Sequence, residues 1–216
     1  MADWVAISSL ATAGGTLALA GTTYASVRSA NRAARAAERS LLAQLRPLIV
    51  ESFEQDPVQR VNFVDINGIA VAGGAAAVEV IDERLYLVFS LRNVGSGIGV
   101  LYGGRVFGWR ANQADRTEVL QHGDPGSFRM LSRDIYIPAG KVGFWQIAWR
   151  DREAEERDEL LLAVDGGELA AELMYGDFEG GQRMITRFRV LREDDGVWRL
   201  YAVRHWQVDR AEPRPL

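Results

Sequence analysis

The sequence predicts a mainly β protein: an immunoglobulin-like antiparallel β-sandwich with one helix, preceded by a long amino-terminal transmembrane and juxtamembrane helix. Three observations predict it. The 24 residues Trp4–Val27 carry no charge, residues 28–46 carry five Arg and one Glu, and from Leu48 onward the apolar period changes from 3.6 towards 2. The corresponding division is an anchor over 1–27, a basic amphipathic helix over 28–46, a sandwich over 47–212 and a tail over 213–216.

At 1.5 Å per residue an uncharged run of that length makes about 36 Å of helix, enough to cross a hydrocarbon core of about 30 Å. Seven Ser or Thr and three Gly dilute its apolar character, so a buried soluble helix is the competing reading. A cleaved signal peptide fits poorly, because Asp3 stands where such peptides carry basic residues. Within the run, Ala11, Gly14, Ala18, Gly21 and Ala25 recur at helical spacing. Small residues let two helices approach closely in a bilayer, which suggests a homo-oligomer; an Ala- and Gly-rich helix also produces such stripes by chance.

Arg28, Arg32, Arg35, Arg39 and Arg46 follow the run. Positive charge beside a span stays on the cytoplasmic side, so the expected topology is a single pass through the cell membrane. The amino terminus lies outside and the large domain inside. The same arginines would meet anionic head groups, at about 1 kcal/mol each near such a surface, or would only set topology. Ala30, Ala33, Ala34, Ala37, Leu41 and Leu45 recur on the opposite face. The helix is expected to stop at Arg46, since Pro47 disfavours helical backbone before it.

Segmenting the chain also resolves its net charge of −4: Asp3 alone in the first 27 residues and a basic collar after them leave −7 for residues 47–216. A body of that sign repels phosphate backbones, so nucleic acid is not an expected partner. The absence of Cys excludes disulfides, thiolate chemistry and Cys-ligated metals, and leaves only His122 and His205 as imidazoles.

In the body, the clearest strands form a carboxyl-terminal meander. Leu169, Ala171, Leu173 and Tyr175 alternate with Glu168 and Glu172; Met184, Thr186, Phe188 and Val190 alternate with Arg183, Arg187 and Arg189. In register, Glu168 and Glu172 would pair with Arg187 or Arg189. Over Val197–Val208, one face takes Trp198, Leu200, Ala202, Trp206 and Val208, with Arg204 as an exception. The turns are 176–181 and 194–196. Earlier strands are expected at Leu48–Phe53, Val61–Ile66, Ala77–Ile81, Leu85–Asn93, Val100–Trp109, Asp134–Ile137 and Val142–Arg150, with a helix over Arg152–Val164. About ten short strands and one helix in 170 residues point to one sandwich domain.

No residue qualifies as catalytic and no metal or cofactor is expected. The loop Asn93-Val-Gly-Ser-Gly-Ile-Gly99 has its third Gly one place early for a dinucleotide fingerprint, and no helix follows. His122-Gly-Asp-Pro-Gly-Ser127 contains triad residue types but reads as a surface turn. Asp177, Glu179 and His205 form the remaining candidate surface site, which an enzyme would have to gather in one concave place. A hairpin turn and a surface His explain the same three residues.

The run Val27–Leu42, Leu45-Arg-Pro-Leu48, Leu91-Arg-Asn-Val-Gly-Ser-Gly97, Pro138-Ala-Gly-Lys-Val-Gly-Phe-Trp-Gln146, Tyr175-Gly-Asp-Phe-Glu-Gly-Gly-Gln-Arg183 and Arg204-His-Trp206 occur in this order. Together they resemble a family of bacterial single-span proteins of the high-GC Gram-positive type, with an amino-terminal anchor and a β-rich body. The resemblance covers nearly the whole chain. It implies architecture and supplies no activity, cofactor or catalytic residue. The expected function is a membrane-anchored cytoplasmic interaction or scaffolding module with the lipid bilayer, a second copy and a cytoplasmic protein as partners. The alternative is a membrane-tethered hydrolase or cation-dependent enzyme.

Overall fold

The computed structural model describes residues 3–109, 121–133, 135–150 and 155–209, without the side chains of 5–7 and 155. The chain divides into two units, 1–44 and 45–216.

In the first unit a single uninterrupted helix, α1, covers Trp4–Gln44, so the expected anchor and basic helix are one element of roughly 60 Å. Leu10, Leu17, Leu19 and Tyr24 expose 69–78% of their surface. The hydroxyls between them are satisfied inside the helix: Thr12 donates to Ser8 O, Thr16 to Thr12 O, and Thr22 and Thr23 to Leu19 O, at 2.8–2.9 Å. Among the described residues no helix is long and apolar enough to cross a membrane. The Ser, Thr and Gly content of the run is the physical reason.

The helix stops two residues before the expected end. Pro47 keeps Arg46 out of helical backbone, and the Arg46 carbonyl instead accepts from Ser96 N and Gly97 N at 3.1 and 3.4 Å. Arg46 therefore leaves the basic stripe and joins the second unit, where its Nε donates to Gln182 Oε1 at 3.3 Å.

The second unit is mainly β and antiparallel. Its elements are β1 (Ile49–Glu51), β2 (Gln59–Val61), β3 (Ile69–Val71), β4 (Ala75–Ile81), β5 (Arg84–Asn93), β6 (Gly99–Gly108), a 3₁₀ turn (Pro125–Ser127), β7 (Arg129–Met130), β8 (Tyr136–Ile137), β9 (Val142–Trp149), α2 (Glu155–Asp165), β10 (Glu168–Gly176), β11 (Met184–Arg192) and β12 (Trp198–Gln207). Asp134, 152–154 and 210–216 of the expected strand, helix, domain end and tail lie outside the described residues.

Ten of the strands form one hydrogen-bonded sheet in the order β1-β5-β4-β12-β11-β10-β6-β7, with β8 on β6 and β9 on β5; β2 and β3 form a separate ladder. The mainly β, antiparallel character is as expected, and the ladders connect into one network in which β12 and β4 are joined by two residue pairs, Trp198–Ala76 and Arg199–Ala75. Across the turn from β8 to β9, Gly143 lies against Ile137, so closely that a Cβ at Gly143 would stand 2.7 Å from Ile137 Cγ1. The sheet curls because strand twist accumulates over this many strands, and it encloses a core along the whole path.

That core takes Leu85, Leu87, Phe89 and Leu91 from β5, Trp145, Ile147 and Trp149 from β9, and Leu169, Ala171, Leu173 and Tyr175 from β10. α2 adds Leu160 and Val164. On the outer side, Val61, Phe63, Ile69 and Val71 cover Tyr86, Val88 and Ala148, so the β2–β3 ladder shields that part of the sheet. The sheet is therefore buried on both faces here, and period-two alternation weakens into continuous apolar runs such as 85–89.

The meander β10–β11–β12 forms as expected, its turns using Gly180 and Gly196 at φ of 79° and 80°. One detail of β12 differs. A bulge places Phe188 opposite Ala202 but Arg187 opposite Arg204, so Val203 is an extra residue. Residues beyond it change sides: Trp198 and Leu200 join the main core, whereas Trp206 packs in an outer cluster with Phe128, Met174 and Ile185. The anomalous Arg204 in the expected face is this bulge read without its frame shift.

Candidate functional site

Of the three residues singled out by sequence, Asp177 and His205 are held in separate hydrogen-bond systems. Asp177 is buried at the turn after β10, where Oδ1 accepts from Gly181 N at 2.9 Å and Oδ2 from Gln182 Nε2 at 3.0 Å. Both oxygens thus shape the turn. Glu179 is exposed two residues on. His205 lies on β12 opposite Thr186, with its Nδ1 2.7 Å from Thr186 Oγ1. Among the described residues no three His, Asp or Glu could hold a metal ion together. Arg28, Arg32, Arg35 and Arg39 and the stripe Ala11, Gly14, Ala18, Gly21 and Ala25 are exposed on α1.

His205, itself exposed, nevertheless touches a buried polar pair, Thr186 and Tyr175. Thr186 is 0% exposed; its hydroxyl lies 3.0 Å from Tyr175 Oη, and it also reaches Ile49 O at 3.3 Å. Burial pushes the Tyr175 phenol up to about 12, against smaller opposing effects from the Thr186 and Ile49 hydrogen bonds. Loss of solvation lowers the His205 pKa, opposed by the Glu51 carboxylate on β1.

The two loops resolve as turns. Ser127 Oγ donates to Asp124 O at 2.7 Å and His122 Nδ1 lies 2.7 Å from Gly123 O, so no triad forms. Asn93 is fully buried and anchors the 93–99 loop: Nδ2 donates to Gly97 O and Ile137 O at 2.7 and 2.9 Å, and Oδ1 accepts from Leu48 N and Gly95 N. The glycines of this loop admit the chain leaving α1. A Cβ on Gly97 would stand 1.8 Å from Leu45 O.

A row of charges crosses the outer face. Arg105, Glu172, Arg187 and Arg204 are direct neighbours on β6, β10, β11 and β12. Glu172 Oε2 accepts from Arg105 Nε at 2.8 Å and Gly123 N at 2.9 Å; Oε1 accepts from Arg187 Nε at 2.8 Å and Nη2 at 2.5 Å. Arg187 also donates to Gln121 O and lies over the Trp206 ring. Burial raises the Glu172 pKa, but Arg105, Gly123 N–H and Arg187 together outweigh it and hold the carboxyl below its ordinary value. With every lone pair engaged, this row is structural. The cross-strand pairing with Arg187 was legible in sequence, whereas its burial beneath 121–128 was not.

Sequence reasoning missed an open concavity. A cleft of about 320 Å³ lies where β7 and the 131–133 segment face β9, with Phe63 and Val64 at its side. Its described lining contains Arg129, Arg133 and Arg150 and no acidic residue. Arg150 Nε donates to Asp65 Oδ2 at 3.0 Å just beyond the lining. Arg133 Nη2 donates to Asn62 O at 2.7 Å, and Gln146 accepts from the same guanidinium at 3.2 Å in the amide orientation that satisfies both groups. Arg129 is exposed and stacks on Trp149, 5.3 Å from the ring centroid, with no carboxylate pairing among the described residues. The only sequence signal is the pair of arginines in Arg129-Met-Leu-Ser-Arg133 inside an acidic body. Arg150 lies 17 residues beyond Arg133, so no local spacing links them.

The fold and cleft define a curled antiparallel-sheet body attached to a long exposed helix. The chain matches no protein-family model, no curated protein and no solved structure.

Proposed function

We propose that the chain is a membrane-held interaction module, with α1 as the anchor and the curled sheet as a cytoplasmic binding body. The observation that carries this reading is α1 itself. Its amino-terminal part exposes Leu10, Leu17 and Leu19 without a charge among residues 4–27, and four threonine hydroxyls are bonded back onto the helix. Internal satisfaction of polar groups is what hydrocarbon demands of a spanning helix. Arg28, Arg32, Arg35 and Arg39 then provide the retained charge, and the helix is about twice as long as a hydrocarbon core, leaving several turns beyond it. The hydropathy of the run is low for a span, and its small-residue stripe supports the remedy of a second copy beside it.

The body supports a binding role more than a catalytic one. Its buried Glu172–Arg187 pair is fully engaged, Asp177 and His205 are separately bonded, and an open concavity lies between strand edges. Protease added to sealed, right-side-out cells tests the arrangement. The body is expected to stay intact until the membrane is opened; its digestion in intact cells would overturn the orientation.

A further inference from the structure

We infer that the cleft between β7 and β9 binds an extended acidic peptide segment, taken up as an added strand. This rests on the reading of the body as a binding module and names the chemistry of its partner.

Two observations point to a strand. β9 pairs only with β5, and β7 only with β6, so among the described residues the edges that face each other across the cleft have no ladder partner. The gap is therefore bordered by main-chain donors and acceptors, the arrangement used when an extended peptide joins a sheet. The facing stretches, 129–133 and 146–150, are each five residues long, which matches a guest of about five residues, or roughly 16 Å.

Two further observations set the charge of the guest. Arg129, Arg133 and Arg150 line the cleft, and even with Asp65 counted the place is positive, while residues 47–216 as a whole carry −7. Arg129 lies over the Trp149 ring and, among the described residues, has no carboxylate on its donors, an arrangement suited to an incoming acid. Phe63, Met130 and Ile147 give the same cleft apolar surface. A strand with period-two alternation meets both demands, carboxylates on one side and aliphatic groups on the other. Charge on an edge also discourages edge-to-edge aggregation, but that role requires neither a cleft of this size nor an arginine stacked on an aromatic ring. A nucleic-acid guest would be repelled by the rest of the body.

The test is fluorescence anisotropy with the full chain in nanodiscs and a labelled Glu-Val-Glu-Val-Glu peptide. Saturable binding is expected, weakened at least tenfold by Arg129→Glu, by swapping Glu for Lys in the peptide, and by N-methylating the peptide backbone. Arg189→Glu, on the outer face, is the matched charge control and should leave binding within twofold. Equal binding of the N-methylated peptide, or full competition by equimolar inorganic phosphate or a single-stranded oligonucleotide, would replace strand addition with simple anion capture and overturn the proposal. No saturable binding to the folded wild-type chain would overturn it also. If a partner cross-linked to the body in membranes is retained by the Arg129→Glu chain, the cleft assignment falls and the binding-module reading stands.

Discussion

Glu172 and Arg187 face each other across β10 and β11 with side chains 0% and 5% exposed, joined by bonds of 2.5 and 2.8 Å. Arg105 closes the other carboxylate oxygen, so one buried anion holds two guanidiniums on the outer face of the sheet. Removing the anion alone strands a buried cation, which typically costs about 3–5 kcal/mol. Glu172→Leu is therefore expected to lower stability by that order in denaturant unfolding. The double variant Glu172→Leu/Arg187→Leu should lose less, since the more deeply buried cation is removed with its partner and the remaining Arg105 keeps 31% exposure. Additive losses would mean that the pair is not coupled.

The same carboxylate gives a pH dependence. Its folded pKa lies below its ordinary value of 4.5, so it adds stability above pH 4.5 that is lost as pH falls through the lower folded value. Unfolding midpoints measured from pH 6 down to 3 should fall across that window in the wild type and fall less in the double variant. Equal slopes would remove Glu172 from the account.

Gly97 is the contact between the loop 93–99 and the chain leaving α1. Gly97→Ala places a methyl group against Leu45 O, and overpacking of this kind costs about 1–3 kcal/mol. Thermal unfolding should show that loss for Gly97→Ala and little change for Gly180→Asn, whose left-handed position accepts Asn and has open space beside it. Wild-type stability in Gly97→Ala would mean that the connector is not clamped.

Tyr175 and His205 report on the chain through Thr186. Ultraviolet titration should find one tyrosine ionising only near pH 12, absent in Tyr175→Phe. The raised phenol stabilises the fold below pH 10, and that contribution fades as pH climbs from 10 through about 12. For His205 the sign reverses: its folded pKa is lowered, so its contribution is present above pH 6.5 and is lost as pH falls through the folded value. Nuclear magnetic resonance titration should place His205 below 6.5. A value above 6.5 would mean that Glu51 outweighs the loss of solvation.

The meander was readable because Glu168, Glu172, Arg187 and Arg189 alternate cleanly with apolar residues and because Gly180 and Gly196 mark its turns. β12 was readable only to Ala202, since a bulge inserts one residue and leaves no signature in composition. The strand order was hidden because pairing between β9 and β5, or β6 and β8, joins segments far apart in sequence. For the same reason the cleft was invisible: Arg129 and Arg150 become neighbours only when the sheet curls. Arg46 falls in the second unit although helical spacing continues through it, because Ser96 N and Gly97 N donate to its carbonyl.

The central claim is that α1 holds the body on a membrane, and alkaline carbonate extraction of membranes containing the full chain tests it most directly. The account predicts that the chain stays in the pellet and that Leu10→Arg/Leu17→Arg releases it, because two charges in the uncharged run cost about 2.5–3.5 kcal/mol each near the centre of a span. Release of the wild-type chain into the carbonate supernatant would contradict it.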